Sequence, residues 1–268
     1  MKFLTLMFCA TCAFAQRTFE TPQAAAQALI DAAASNNTPT LAAIFGPQGK
    51  TILTSGSSEQ DRAERDEFSS IAKNKHQLQR DSMNPDRMIL SIGSEDWPFP
   101  VPIVRQNGQW HFDTAMGEQV MQARRIGADE LDAIEICAGY VGAQTQFAQQ
   151  HGMQQYAKKL DELGPLIPTG LIQASSSNPQ PYHGYYFSVL TAQGRNASGG
   201  AYEYVVKGTM LGGFALVAWP AEYGVSGVHT FIVNQDGTVY QKDLGRAANK
   251  TTPSVTRYDP DTSWRPVY

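Results

Sequence analysis

The stretch Val101-Pro-Ile-Val-Arg-Gln-Asn-Gly-Gln-Trp-His-Phe-Asp113 carries the reading on which the fold turns. Val101–Arg105 and Trp110–Asp113 are short runs rich in β-branched and aromatic residues. Between them lies Asn107-Gly108, the strongest short hairpin signal, because a type I′ turn needs positive φ at both central residues. Arg87–Ile92 upstream reads as a further strand. The residues before it are helical. Thr21-Pro22 is an N-cap and N1 pair, and the Ala-rich run behind it reaches about Ala34. Thr38-Pro39 opens a second helix that stops at Gly46, and a third pattern runs from Glu59 to about Asn74. That third helix is charged on most faces, with Ala63, Phe68 and Ile71 available to pack.

Downstream, the period changes again. A long helix is expected from Ala128, with Leu131, Ile134, Ala138, Val141, Thr145 and Ala148 forming one packing stripe. Gly139 and Gly142 are poor helix residues, small enough to let a partner surface approach closely. Gly, Pro and Ser crowd the stretch from Leu163 to Pro181, which reads as loop. Tyr185–Thr191, Tyr202–Lys207, Phe214–Trp219 and Val228–Asn234 then alternate or run apolar over strand lengths. Asp236-Gly237 turns the last of these into Val239–Lys242. Helices followed by strands, twice over, predict an α+β protein with antiparallel sheets. Two domains are expected, 17–125 and 126–268, with the boundary near Arg124–Ala128.

The chain has 268 residues, 42% hydrophobic and 17% charged, which suits two modest packed domains and not a disordered chain. Its formal net charge of -4 lacks the basic footprint of a nucleic-acid binder. The N-terminus reads Met-Lys, an apolar run from Phe3 to Phe8, and Ala13-Phe14-Ala15. One positive charge, a short apolar segment and a small-x-small site are the parts of a secretory signal, so residues 1–15 are expected to be cleaved after Ala15. Lipid attachment at Cys12 is disfavoured, because Cys9-Ala10-Thr11 lacks the preceding Leu and small pair. A periplasmic or secreted protein that does not span a membrane follows as the expectation. Cys9 and Cys12 would leave with the signal, so Cys137 would stand alone, without a disulfide, as a buried structural thiol in a helix.

Three segments together are distinctive: Trp97–Arg105 with Gly108–Asp113, then Pro181-Tyr-His-Gly-Tyr-Tyr-Phe187, and finally Gly212–Gly227. They resemble the bacterial family catalogued as domain of unknown function 2950, across essentially the whole mature chain. The resemblance implies no activity. It departs from the family after the long helix, where Gln150–Gly164 is short and many members carry an aromatic-rich insert. From about Arg17 to Gln122 the chain also looks like the cone-shaped fold of nuclear transport factor two relatives, which encloses a pocket beneath a curved sheet. The second half is similar to the globular heads of type IV pilins and pseudopilins. Ala133-Ile134, Ala143-Gln144, Phe147-Ala148, Leu163-Gly164, Gly184-Tyr185-Tyr186-Phe187, Ala218-Trp219-Pro220 and Phe231–Gly237 carry that likeness. The apolar start of a prepilin is not in the sequence.

Candidate chemistry is sparse. Gly46-Pro-Gln-Gly49-Lys50-Thr51 has two residues between its glycines where a phosphate loop needs four, and it follows a helix. His76, His111, His151, His183 and His229 show no metal-ligand spacing, so no metal and no cofactor is expected. Gly224-Val-Ser226-Gly227 is not a nucleophile elbow. Two acid–base groupings remain open: His229 with Glu222 and Asp236, and His183 with Tyr185 or Tyr202. Both also read as ordinary turn and strand residues. If the cone resemblance holds, one face of the Trp-containing hairpin looks into a pocket. Trp97, Phe99, Trp110 and Phe112, with Asp96, Arg105 and His111, then form the preferred small-molecule site, although core packing explains the same rings. The expected function is a non-catalytic binding or assembly module of the envelope, its partner a small molecule or an envelope protein. The alternatives are a hydrolase-like enzyme using that pocket or the His229 region, and an accessory of a pilus or secretion machine.

Overall fold

The computed structural model describes residues 16–152, 155–175, 178–246 and 254–267. The expected signal segment, with Cys9 and Cys12, lies outside them. The chain divides into two compact units, Met1–Met121 and Gln122–Tyr268. Each has its own core, and the two cores share no residue.

The N-terminal unit opens with α1 (Pro22–Ala34) and α2 (Thr38–Phe45), followed by a 3-10 turn at Pro47–Gly49. A single turn α3 (Lys50–Leu53) and the longer α4 (Ser58–Asn74) complete its helices. Side chains cap the three longer ones: Thr21 Oγ accepts from Ala24 N at 3.1 Å, Asn37 Oδ1 from Thr40 N at 3.1 Å and Ser57 Oγ from Gln60 N at 3.4 Å. Five antiparallel strands follow: β1 (His76–Arg80), β2 (Arg87–Ile92), β3 (Trp97–Pro98), β4 (Ile103–Gln106) and β5 (Gln109–Phe112). Their order is β1-β2-β4-β5, with β3 also on β2. Asn107 (φ 52°) and Gly108 (φ 80°) make the expected left-handed turn between β4 and β5. Leu29, Ile30, Leu41, Ile44 and Phe45 of the helices are buried against Leu90, Ile103 and Phe112 of the sheet. Strand β1 was not legible. His-Gln-Leu-Gln-Arg carries almost no apolar period, because an edge strand held by backbone pairing to β2 needs none.

The chain then enters α5 (Thr114–Gln150), which starts well before the expected Ala128. Asp113 Oδ1 caps it by accepting from Met116 N at 3.0 Å, and the polar, Gly-containing residues that follow hide the start from a hydrophobic pattern. The buried stripe also differs from the expected one. Ala133, Cys137, Tyr140, Gln144 and Phe147 face the core, while Leu131 is 63% exposed. The two large rings outweigh the aliphatics beside them in apolar area. Cys137 is a free, buried thiol in the middle of that stripe.

A 3-10 segment (Leu160–Leu166) and α6 (Thr169–Gln173) lead to the second sheet, β6 (Tyr185–Leu190), β11 (Ala215–Pro220), β12 (His229–Asn234), β13 (Tyr240–Asp243) and β14 (Arg265–Pro266). Four two-residue strands lie between β6 and β11: β7 (Ala192–Gln193), β8 (Tyr202–Glu203), β9 (Val205–Val206) and β10 (Thr209–Met210). The five-stranded order is β14-β13-β12-β11-β6, all antiparallel. β11 lies between β12 and β6 and is buried at all its positions, which is why Ala-Leu-Val-Ala-Trp-Pro runs apolar without alternating. The architecture is α+β, with a long helix and antiparallel sheets.

Candidate functional site

The aromatic hairpin does not assemble as one pocket. Phe112 is fully buried and packs edge-on against Phe45, at 5.4 Å between centroids. Phe99 packs on Phe68 at 5.3 Å and lines a partly open cavity. Trp110 packs against the core from β5, with the Arg105 guanidinium 5.6 Å from its ring centre and Arg105 Nε bonded to Asp86 at 2.8 Å. His111, the next residue along β5, alternates to the opposite face. Trp97 is 48% exposed on β3 beside a surface depression with Ile71 and Lys75. Asp96 sits in the turn before it at φ 53°, held by Lys75 Nζ and Gln77 Nε2, each at 2.8 Å. Of the predicted set, Phe99 alone lines that cavity.

That cavity of about 300 Å³ is walled by Leu41, Phe45, Leu53, Phe68, Phe99 and Met121. A wider groove of about 1010 Å³ opens on the other side of Leu53 and Thr54, between Pro39, Ala42, Ala43 and Pro47. Leu53, Thr54, Asp61 and Arg65 belong to both. Lys50 and Arg65 stand on the groove as cations, while Asp61 is occupied within the fold. Its Oδ1 accepts from both the backbone N–H and the hydroxyl of Ser55 at 2.7 Å, and these bonds hold its pKa below the ordinary value. Arg65 donates from Nε to Asn36 Oδ1 at 3.0 Å and lines both spaces. The Gly46–Thr51 segment, a 3-10 turn running into α3, supplies Lys50 here.

In the C-terminal unit, the acid–base groupings are reassigned. Tyr182, His183, Gly184 and Tyr185 form a tight hairpin with φ 47° at His183 and 73° at Gly184. A Cβ at Gly184 would lie 2.6 Å from Asp129 Oδ2 and 2.9 Å from Ser226 Cβ, so a side chain here is strained by both its φ and its neighbours. Histidine is an unusual first residue for such a turn, where Asn, Asp or Gly is usual. Its Nδ1 pairs with Asp132 on α5. His229 Nδ1 bonds Glu130 at 3.1 Å, and Glu130 Oε1 also accepts from the backbone N–H groups of Val228 (2.8 Å) and His229 (3.0 Å). Tyr185, buried and with its hydroxyl pKa pushed up by desolvation, donates to the His229 carbonyl at 3.0 Å. Glu222 is in the turn before β12, where its backbone N–H donates to Ser226 Oγ at 3.0 Å. Asp236 bonds Asn234 beyond the far end of β12, so the strand's length separates it from His229. Glu222, His229 and Asp236 do not converge as one group, and the turn and strand reading of Asp236 and His229 is the one the geometry fits. Sequence reasoning missed the actual partners of His229 and His183, Glu130 and Asp132, because these lie on a helix far away in the chain. The crowding of acids from Asp129 to Glu135 was the available signal.

The His183–Asp132 pair stands at the mouth of a cleft of about 310 Å³ between α5 and residues 166–171. Its floor is Ile136, Tyr140, Leu166, Ile167 and Leu171, and Tyr182 forms a lip. The Tyr182 ring lies directly on Gly170, where no side chain would fit. Among the described residues, no group of three or more His, Cys, Asp or Glu could hold a metal ion, and no helix is long and apolar enough to cross a membrane.

A family model described as "Protein of unknown function (DUF2950)" matches residues 16–163 and 161–267. The chain belongs to the DUF2950 family. No curated protein and no solved structure matches it, so the cone and pilin-head likenesses gain no support from a structural neighbour. In this DUF2950 chain the first match ends and the second begins in the 3-10 segment that leads into the wall of the C-terminal cleft.

Proposed function

We propose that this protein is an exported, non-catalytic binding module of the bacterial envelope, and that its principal ligand is an anionic amphiphile held by the N-terminal unit. The observation that carries the reading is the pair of apolar cavities on either side of Leu53 and Thr54, with Lys50 and Arg65 at the open end. An apolar enclosure with a few placed polar groups is the usual form of a small-molecule site. The acyl portion fits against Phe45, Phe68 and Phe99, and the anionic head pairs with the two cations. The signal-like residues 1–15 support export; mass measurement of the protein secreted by its host, starting at Gln16, is the check on it.

Dodecanoate is the test ligand, titrated against the chain lacking residues 1–15 and followed by displacement of an anionic fluorescent naphthalene sulfonate. Displacement by dodecanoate, with none by dodecyltrimethylammonium, is the expected result. Ala42→Trp, which fills the groove from its exposed side, should abolish it, and Lys50→Glu should weaken it roughly two- to fivefold. Equal displacement by the cationic detergent, or an unchanged titration in Ala42→Trp, would sink the reading.

The hydrolase alternative has one geometric support, the carboxylate-oriented His183. It needs a nucleophile as well. Among the described residues, no hydroxyl or thiol hydrogen-bonds the His183 ring, and Cys137 is buried with its thiol pushed up to about 12 by desolvation. The binding reading is therefore the one supported.

A further inference from the structure

We infer that the C-terminal cleft is a second and separate binding site, specific for an alkylammonium group on a short aliphatic stem. Three observations converge on that chemistry. The floor of the cleft is apolar, formed by Ile136, Leu166, Ile167 and Leu171, and its volume of about 310 Å³ suits one small ligand or one long side chain. The charged groups at its mouth are Asp132 and Glu135, and no lysine or arginine lines it. Of these two carboxylates, Asp132 is paired with His183, whereas Glu135 is exposed and has no ion-pair partner among the described residues. An aliphatic stem lying on apolar surface with its cationic end at a wet, acidic rim is how lysine side chains themselves settle on proteins.

Gly139 is the fourth element of the argument. It belongs to the cleft wall on the exposed face of α5, and a Cβ there would meet nothing within 4 Å. The close helix approach expected of this glycine therefore does not occur. Glycine in a helix interior is unfavourable, and here its effect is to leave the cleft open above Tyr140. The strained turn conformation of His183 fits the same account. It places an imidazole at the end of the cleft where it holds the Asp132 carboxylate in position. His183 and Asp132 are positioning residues in this scheme, and Glu135 makes the contact with the cation.

The ammonium could belong to a free amine or to a lysine of a partner chain, and two ligands separate these sources. Backbone amide shifts of the protein without residues 1–15 are followed during titration with n-pentylamine and with Nα-acetyl-lysine N-methylamide. Pentanol and pentanoate serve as controls. The expected result is saturable shifts at residues 132–140 and 166–171 with pentylamine, weaker shifts with pentanol and none with pentanoate. Matching shifts with the capped lysine assign the site to a protein side chain; their absence assigns it to a free amine. Gly139→Leu enters the cleft from a Cβ that meets nothing within 4 Å and replaces a helix-interior glycine, so it should abolish the shifts while the thermal midpoint stays at or above wild type. Glu135→Gln should weaken binding roughly two- to fivefold. Pentanoate binding as well as pentylamine, binding retained in Gly139→Leu, or no shifts with either amine would overturn the inference. Dodecanoate reports on residues of the other unit, so either proposal can fail alone.

Discussion

In the N-terminal unit the apolar cavities carry Lys50 and Arg65, beside an Asp61 bonded to Ser55 and a Glu64 bonded to Gln60, whereas in the C-terminal unit the apolar cleft carries Asp132 and Glu135 and no lysine or arginine. Both floors are built of aliphatic and aromatic side chains, so apolar area alone would give the two units the same preferences. The rims decide between ligands, because a like charge at a partly desolvated rim repels as strongly as an opposite charge attracts. The difference also lies in how the walls are made. The N-terminal cavities are enclosed by short helices and loops around Gly46–Ser55, while one wall of the C-terminal cleft is a single face of a long helix.

The comparison rests on two separate cores, and the largest effect should come from breaking one of them. Phe112→Ala removes a fully buried ring from the first core, and Phe231→Ala removes one from the second. Each should cost about 3–5 kcal/mol. Cys137 gives the readout, since the buried thiol reacts only when the C-terminal unit opens. Alkylation of Cys137 in native buffer should be accelerated strongly by Phe231→Ala and left unchanged by Phe112→Ala. Equal acceleration by both would mean that the two cores unfold as one cooperative body.

A middle-sized effect is expected at the turn that carries His183. Gly184→Ala puts a methyl group at φ 73°, 2.6 Å from Asp129 Oδ2 and 2.9 Å from Ser226 Cβ. A cost of about 1–3 kcal/mol follows from the backbone alone. Thermal unfolding measures it, and amide exchange should place the loss in the C-terminal unit. A Gly184→Ala protein as stable as wild type would show that the turn relaxes freely and that His183 is not held.

Much of this architecture is legible in the residues, for identifiable reasons. The hairpin at Asn107-Gly108, the cap at Thr21, the helix start at Thr38-Pro39 and the apolar strands β6, β11 and β12 rest on local chemistry that the structure repeats. β1 and the first turns of α5 were lost because neither buries a periodic apolar face. The sites were much less legible. Phe99 was named as a pocket residue, but its cavity partners Phe45, Phe68 and Leu53 come from helices that give no chemical signal. His183 was named too, yet its pairing with Asp132 joins residues on separate elements, and spacing along a chain carries no information about that distance. The stripe on α5 was misread for a third reason. Ala133, Cys137, Tyr140, Gln144 and Phe147 include a polar residue, Gln144, whose amide donates to the Tyr140 hydroxyl (2.7 Å) and the Ala157 carbonyl (2.8 Å) and whose oxygen accepts from Ala157 N at 2.8 Å. A buried glutamine so fully bonded is stable in a core, but a hydrophobic pattern skips it.

The smallest effect sharpens the contrast between the rims. Asp61 and Asp129 both have an ordinary pKa of 3.8 when unfolded, and folding moves them in opposite directions. The Ser55 backbone N–H and hydroxyl lower Asp61, so its ionised form favours the fold. That contribution is present above the unfolded value and is lost as pH falls through the folded one. Asp129 is raised, first by desolvation and then by the nearby Asp132, against the pull of Arg125 and His183. The folded state therefore binds its proton more tightly than the unfolded chain does. Its ionisation opposes folding, beginning above the unfolded value and fully above the raised one. At neutral pH, Asp61→Asn should lower the thermal midpoint and Asp129→Asn should raise it, by less than either change above. In acid, below all of these values, both pH-linked differences should vanish. If Asp129→Asn instead destabilises the protein at neutral pH, the acids between Asp129 and Glu135 on α5 are satisfied by the fold. The negative field expected to draw a cation to the cleft would then be too weak to act.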